Sequence, residues 1–137
     1  MRIWGRGLVE GAAKGEILVA SEPISFYGGV DPRSGRIVDK KHALYGKSIA
    51  GKILVFPYGK GSTVGSYVIL SLAKNGVAPA AIVNILSEPI IVIGCVLAGI
   101  PLMDKPEKNP IEVLQSGEKG VLVVEKGKAY LEVEEYV

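Results

Sequence analysis

Runs of consecutive apolar residues mark the centre of the chain. Residues 52–56 include four apolar positions in a row, which is typical of a strand buried on both faces, and residues 80–86 predict a second such strand. Residues 63–74 between them show helical spacing and stop at Asn75-Gly76. The apolar positions of this largely buried predicted helix are Val64, Tyr67, Val68, Ile69 and Leu72. The three pieces together predict a βαβ unit.

Both ends of the chain favour strands, and a long polar loop lies between the first strands and the centre. The predicted terminal strands cover residues 3–10, 16–20, 120–125 and 128–134, and the last two form a hairpin about Lys126-Gly127. The loop, residues 27–47, is rich in Gly, Asp, Pro and Lys, and loops of this length usually have a function or dock onto something. We therefore expect an α/β fold, with a central βαβ unit and flanking β-strands, in a single compact domain over residues 1–137.

The longest apolar run, residues 90–100, predicts a short helix or strand of the buried core. It is too short for a membrane span, which needs about twenty residues. A chain of 137 residues with 48% hydrophobic and 22% charged residues has the composition of one folded domain. Its net charge is only +2 and its basic residues form no stripe, so we expect neither a nucleic-acid nor a membrane partner.

The chain has too few metal-ligating residues to carry its own metal. One cysteine excludes an internal disulfide and a multi-cysteine zinc or iron–sulfur site, and one histidine argues against a His-centred triad. Cys95 lies inside the apolar run and is predicted to be a buried small hydrophobe. Residues 1–7 lack the apolar core of a signal peptide, so we expect a cytoplasmic protein.

The residues with the clearest chemical potential form a glycine-rich turn where the first central strand meets the helix. Residues 59–66 read Gly-Lys-Gly-Ser-Thr-Val-Gly-Ser, and the N–H groups of a helix N-terminus favour an anion there. The segment does not fit the phosphate-loop pattern. It is compatible with a plain turn capped by Ser62 or Thr63, or with a loose nucleotide site in which Glu88 takes the place of a ribose-binding acid. Ser66 is predicted to lie on the helix surface.

A third interpretation comes from a resemblance that covers residues 28–101. The string Gly28-Gly-Val-Asp-Pro-Arg-Ser-Gly-Arg-Ile37 runs through the loop into the glycine turn, and Asn75-Gly76, Ala78-Pro-Ala-Ala-Ile82 and Ala98-Gly-Ile-Pro101 follow in order. This combination resembles the small subunit of the aconitase-X family, the swivelling domain of the aconitase-like dehydratases. The resemblance implies a swivelling β/β/α domain.

The resemblance also implies half of an enzyme. A partner large subunit would hold a [4Fe–4S] cluster, and Ser62 matches the serine that acts as an alkoxide base on the carbon next to the substrate carboxylate. The implied reaction is loss of water from (R)-5-phosphomevalonate, giving trans-anhydromevalonate 5-phosphate in an archaeal-type isoprenoid pathway. Lys60, Gly61 and Thr63 would bind substrate or support the site. This chain departs from the classical aconitases at one point, because they follow their serine pair with Arg-Glu and this chain does not. Lys60, another residue or the large subunit must therefore bind the anionic ends of the substrate.

Two loop residues in the matched region are weaker candidates for the same site. His42 could be a second acid–base group, but a structural or interface role is favoured. Asp31 stands before a proline, which favours stabilisation of a turn, although its place in the motif makes it a candidate for the site. Two alternatives stay open: a dehydratase subunit for another hydroxy acid, and a non-catalytic module that binds an anion or nucleotide.

Overall fold

Seven strands close into a barrel within residues 1–134, the part of the chain that this computed structural model describes. In chain order the barrel strands are β1 (Arg2–Val9), β2 (Gly11–Val19), β4 (Ile53–Phe56), β6 (Ala81–Asn84), β7 (Leu102–Asp104), β8 (Lys119–Glu125) and β9 (Lys128–Val133). Around the barrel they follow the order β1-β7-β6-β4-β2-β8-β9. The β2-β4-β6-β7 half is parallel, and the remaining pairs are antiparallel.

Two short strands and four helical segments lie outside the barrel. The strands are β3 (Ile24–Ser25) and β5 (Gly59–Lys60), which pair in parallel with each other. The helical segments are α1 (Phe26–Gly29), α2 (Gly65–Lys74), α3 (Pro89–Ala98) and α4 (Pro110–Val113). α1 is a single distorted turn, whereas α2 and α3 are the crossovers from β4 to β6 and from β6 to β7. The β4-α2-β6 unit confirms the predicted central βαβ unit.

Strand β4 shows why its sequence has no polar position. Because successive side chains of a strand point to opposite faces, Ile53 and Val55 enter the core inside the barrel. Leu54 and Phe56 enter a second core, which the barrel shares with α2 and α3. All four side chains are fully buried, so β4 is packed on both faces and anchors the segments that follow it.

An ion pair between a half-exposed arginine and a buried aspartate ties the closure of the barrel to the start of α3. Arg6 of β1 faces Asp104 of β7 in the strand register, and Nε and Nη2 of Arg6 donate to the two carboxylate oxygens over 2.8 Å each. Asp104 is fully buried and also accepts the N–H of Ser87 at 2.9 Å. The hydroxyl of Ser87 in turn donates to Asn84 at the end of β6. Two strand ends and the loop before α3 are therefore held together.

The sequence predictions differ from the structure mainly at the edges of elements. β2 begins at Gly11, five residues before the predicted start, because residues 11–16 pair with β8. α2 begins at Gly65, two residues late, because residues 61–64 form a turn of their own. Its buried face was also misjudged: Val64 and Tyr67 are exposed, whereas Ile69 and Leu72 are buried.

The apolar run at residues 90–100 forms helix α3, but the prediction that it is wholly buried is wrong. Ile91 and Cys95 are buried on its inner face, while Ile93, Val96 and Leu97 are 49–60% exposed on its outer face. No helix among residues 1–134 is long and apolar enough to cross a membrane. Residues 135–137, the end of the predicted domain, lie outside the described residues.

Candidate active site

The glycine-rich turn predicted from the sequence, residues 59–65, is called here the serine turn. It starts at β5, shortly after the carboxyl end of β4, and ends at the first residue of α2. In parallel sheets, whether open or closed into a barrel, ligands bind at the carboxyl ends of strands, where loops meet helix N-termini. β3 holds β5 in place, because Ile24 pairs with Gly59 and Ser25 pairs with Lys60.

Gly61 allows the chain to turn sharply between β5 and Ser62. Its φ is +92°, in the left-handed region that favours glycine. A Cβ added at Gly61 would also lie 2.5 Å from Oγ of Ser25, whose hydroxyl donates to the carbonyl of Tyr27 at 3.0 Å. A side chain at position 61 would therefore be strained by its φ, and Ser25 would have to turn its hydroxyl away and lose its hydrogen bond to Tyr27.

Ser62 is exposed and is held at the positive end of α2. Its Oγ accepts the N–H of Val64 at 3.2 Å, and its carbonyl accepts the N–H of Gly65 at 3.0 Å. Within the described residues, the Ser62 hydroxyl proton has no acceptor. An oxygen that accepts a backbone N–H beside a helix N-terminus is stabilised when it carries negative charge. The arrangement therefore suits a hydroxyl that loses and regains a proton.

Two neighbouring residues complete the first turn of α2. Thr63 is exposed, and its carbonyl accepts both the N–H of Ser66 at 3.4 Å and the hydroxyl of Ser66 at 3.1 Å. Ser66 is only 6% exposed, so its predicted place on the helix surface is wrong. Because its hydroxyl bonds to a carbonyl three residues earlier, Ser66 can be buried without leaving a polar group unpaired.

Lys60 supplies a positive charge at the entry to the serine turn. Its side chain is exposed and, within the described residues, forms neither an ion pair nor a hydrogen bond. An ammonium group on a flexible stem that no carboxylate engages is available to an anionic ligand. The predicted proximity of Lys60 and Ser62 follows directly from their places in one turn.

Glu88 lies behind the serine turn, at the N-cap of α3. A Cβ added at Gly59 would lie 2.6 Å from Oε1 of Glu88, so this carboxylate rests against β5. That oxygen is buried without a hydrogen-bond partner among the described residues. Burial raises the pKa of Glu88, while the N–H groups of Glu88 itself, Gly59 and Ile91 partly oppose the shift. From the sequence, Glu88 was considered only as a ribose ligand. In the structure, its Oε1 faces the protein rather than solvent.

His42, the first of the two loop candidates, is engaged by the backbone. It is 8% exposed; its Nδ1 accepts the N–H of Leu44 at 3.0 Å, and its Nε2 lies 3.2 Å from the carbonyl of Pro23. Because Nδ1 accepts, we assign the proton to Nε2, which donates to Pro23. Pro23 immediately precedes β3, so His42 supports the strand that positions β5.

Asp31, the second loop candidate, stabilises a turn of its own. Its carboxylate accepts the hydroxyl of Ser34 at 2.8 Å and the N–H of Arg33 at 3.1 Å. These hydrogen bonds, that from Ser34 foremost, hold the pKa of Asp31 below its usual range. The structure thus gives Asp31 the role of a turn former and does not bring its carboxylate into the serine turn through any hydrogen bond among the described residues.

The side chains of residues 1–134 do not suit a metal or an iron–sulfur cluster. Among residues 1–134, no three His, Cys, Asp or Glu side chains come together as ligands. Cys95 is fully buried, and burial raises the pKa of its thiol to about 12, which disfavours the thiolate that a metal requires. The prediction of a buried, hydrophobic cysteine is confirmed.

Comparison with known proteins agrees with the predicted family. Residues 2–133 match the family model of the aconitase X swivel domain. The phosphomevalonate dehydratase small subunit of Methanosarcina acetivorans is 51% identical over 97% of this chain and 91% of that protein. Its counterpart from Pyrococcus furiosus is 48% identical over 88% of this chain and 92% of that protein.

Two solved structures resemble this fold over almost its whole length. A crystal structure of Thermococcus kodakaraensis aconitase X in its holo-form superposes with a TM-score of 0.91 at 44% identity, covering 98% of this chain and 99% of that one. A solution NMR structure of a UPF0107 protein gives 0.88 at 44% identity, covering 98% and 100%.

Proposed function

The chain belongs to the aconitase X swivel-domain family, and from that premise we propose that it is the small subunit of a hydro-lyase acting on (R)-5-phosphomevalonate. The product is trans-anhydromevalonate 5-phosphate, and activity requires a large subunit. The observation that carries the proposal is the geometry of Ser62, an exposed hydroxyl whose oxygen accepts an N–H at the N-terminus of α2.

Ser62 acts as the base in this proposal. The oxygen of the serine alkoxide takes the proton from the carbon next to the substrate carboxylate. The electron pair of that C–H bond forms the double bond, and the hydroxyl of the adjacent carbon leaves with the electrons of its C–O bond. An acid group of the large subunit donates the proton that turns this hydroxyl into water. A free serine hydroxyl is far too weak an acid for this role, so the anion needs the N–H of Val64, the dipole of α2 and exclusion of water.

Lys60 binds one of the anionic ends of the substrate. The arginine that follows the serine pair in classical aconitases is absent, since Thr63 and Val64 occupy those positions. Lys60 is the charged residue within the serine turn, and no carboxylate among the described residues holds it. A single ammonium group cannot neutralise both a carboxylate and a phosphate, so the large subunit contributes the remaining positive charge.

The large subunit also carries the iron–sulfur cluster in this proposal, because the side chains of the described residues do not fit one. Within the assembly, this chain contributes only the base, an anion-binding lysine and the surface that closes the site. A phosphorylated hydroxy acid does not cross membranes unaided, so the enzyme works in the cytoplasm, where its substrate is retained.

Dehydration by the reconstituted pair tests the proposal. The chain is mixed anaerobically with the large subunit of its source organism, and water loss from 5-phosphomevalonate is followed for the wild type, Ser62→Ala and the control Ser71→Ala, an α2 serine beyond the serine turn. We expect Ser62→Ala to lower kcat at least about 100-fold, as loss of a general base does, and Ser71→Ala to retain activity.

Two results would contradict this function. Full turnover by an assembled Ser62→Ala pair would remove Ser62 as the base. An assembled wild-type pair that does not turn over 5-phosphomevalonate would refute the proposed substrate. Separately, tight nucleotide binding by the isolated chain would favour the alternative function, an anion-binding module.

A further inference from the structure

Helix α3 has an apolar outer face, which is unusual for a helix at the surface of a protein. From Pro89 to Ala98 it contains no charged residue, and the uncharged stretch continues to Met103. Ile93, Val96 and Leu97 are 51%, 60% and 49% exposed. A helix packed on a domain normally turns polar side chains outward, so this face calls for a covering partner.

The apolar face continues to the serine turn. Ile85 and Leu86 precede α3 and are 38% and 54% exposed. Their N–H groups donate to the carbonyl of Pro57 at 3.0 and 3.2 Å, and Pro57 is followed by Tyr58, which is 50% exposed and adjoins Gly59. These backbone hydrogen bonds hold the segment that leads into α3 beside the segment that leads into the serine turn. The exposed apolar side chains of these two adjoining segments and of the outer face of α3 are grouped here as one strip. We call it the α3 strip: Tyr58, Ile85, Leu86, Ile93, Val96 and Leu97.

The α3 strip is large enough to form the apolar centre of a protein interface. With roughly 100 Å² exposed on each of its six side chains, the strip offers on the order of 600 Å², the upper end of apolar patches on monomeric proteins. Stable interfaces bury about 800 Å² on each partner. The serine turn and its surroundings supply the remainder when both surfaces are covered by one partner.

We propose that the α3 strip is the docking surface of the large subunit, an inference that rests on the proposed function. The large subunit must close over Ser62 to complete the active site, and Tyr58 joins the strip to the serine turn. A second copy of this chain on the same strip would approach the serine turn and obstruct that closure. The surface of the large subunit is therefore apolar and uncharged where it faces α3. Where it faces Lys60, it binds the substrate anion.

Affinity for the large subunit, measured by calorimetry or sedimentation without substrate, tests the docking surface. Val96→Lys places a charge on the α3 strip, in the last turn of α3, where a cation suits the helix dipole and the fold is retained. Val113→Lys is the matched control, since Val113 is 40% exposed on another helix, α4. We expect Val96→Lys to raise Kd at least tenfold and Val113→Lys to change it less than about twofold. Leu97→Lys provides a second variant.

The outcomes separate this inference from the proposed function. Wild-type affinity in both Val96→Lys and Leu97→Lys would overturn the docking surface even if the pair dehydrates 5-phosphomevalonate. A pair that assembles through the strip without that activity supports the docking surface and refutes the function. A third outcome would assign the strip to another occupant. In that case the isolated chain self-associates or binds phospholipid vesicles, Val96→Lys abolishes this behaviour, and affinity for the large subunit is unchanged.

Discussion

The polar residues of the long loop and those of the serine turn, although both belong to the motif of one family, are held in opposite ways. In the loop, the side chains of His42 and Asp31 form hydrogen bonds with nearby backbone and side-chain atoms. In the serine turn, the proton of Ser62 and the ammonium of Lys60 have no partner among the described residues. The loop is thus built as a scaffold, and the serine turn is left open for a ligand.

The two regions are connected through the small β3–β5 sheet. His42 bonds to Pro23, the next residue Ile24 pairs with Gly59, and Ser25 packs beside Gly61. Changes in the loop should therefore reduce stability first, whereas changes in the serine turn should reduce turnover first. Single substitutions in the two regions test this expected difference between stability and turnover.

Apart from Ser62 itself, the largest effect is expected at Gly61. In Gly61→Ala, the new Cβ combines a strained φ with a clash against Ser25, so Ser62 is displaced and kcat of the assembled pair falls about 100-fold. Gly46→Ala is the control, because its φ is +82° but no atom lies within 4 Å of an added Cβ. It should lose about 1 kcal/mol of stability and keep its kcat. Unimpaired turnover in Gly61→Ala would show that the turn tolerates displacement.

A smaller effect on activity is expected at Lys60. Lys60→Met removes the positive charge while keeping a similar stem, and we expect KM for 5-phosphomevalonate to rise about tenfold, because one charge-assisted contact is lost. Lys74→Met, at the far end of α2, should leave KM unchanged. Steady-state kinetics at two salt concentrations checks both. A KM in Lys60→Met equal to that of the wild type would move anion binding to the large subunit.

His42 should show the reverse behaviour, with an effect on stability instead of rate. His42→Ala leaves the N–H of Leu44 and the carbonyl of Pro23 without their partner, so the free energy of unfolding should fall by about 2–3 kcal/mol. Denaturant unfolding of the isolated chain measures this. Once assembled below its melting temperature, the variant should keep kcat within about threefold. A stable but inactive variant would make His42 an acid–base group after all.

The smallest effect is expected at Glu88, and it depends on pH. Because burial raises the pKa of Glu88 in the folded chain, its contribution to stability is present at low pH and is lost as the pH rises through that pKa. Glu88→Gln should therefore have a higher Tm than the wild type at pH 7, and the difference should vanish below about pH 4, under the usual glutamate pKa. Glu125→Gln controls for the lost charge. A lower Tm for Glu88→Gln at pH 7 would mean that the ionised carboxylate stabilises β5.

The sequence predicted the elements that local pattern determines. The apolar run of β4, the Asn75-Gly76 stop and the hairpin about Lys126-Gly127 all depend on near neighbours, and each was found. Closure of the barrel was not predicted, because it joins Arg6 to Asp104 and β1 to β9 across almost the whole chain. Composition and periodicity contain no signal for pairings of that range.

For the candidate site, the sequence singled out Ser62 and Lys60 but did not reveal their surroundings. Glu88 lies against Gly59 only because α3 starts beside β5. The residues of the strip that lie in α3 and just before it were taken for core, because an apolar pattern does not distinguish a core from an interface. The absence of any charge from Pro89 to Met103 was the available signal. A helix at the edge of a small domain cannot bury such a surface on all sides.

The most direct test of the central claim compares Ser62→Ala and His42→Ala in one experiment. Each variant is assembled with the large subunit at matched occupancy, and both kcat for 5-phosphomevalonate and the Tm of the isolated chain are measured. We predict that Ser62→Ala lowers kcat at least about 100-fold with little change in Tm, and that His42→Ala lowers Tm with kcat largely retained. A Ser62→Ala pair with wild-type kcat, or a His42→Ala chain with wild-type Tm and no turnover, would contradict the division between reactive turn and scaffold loop.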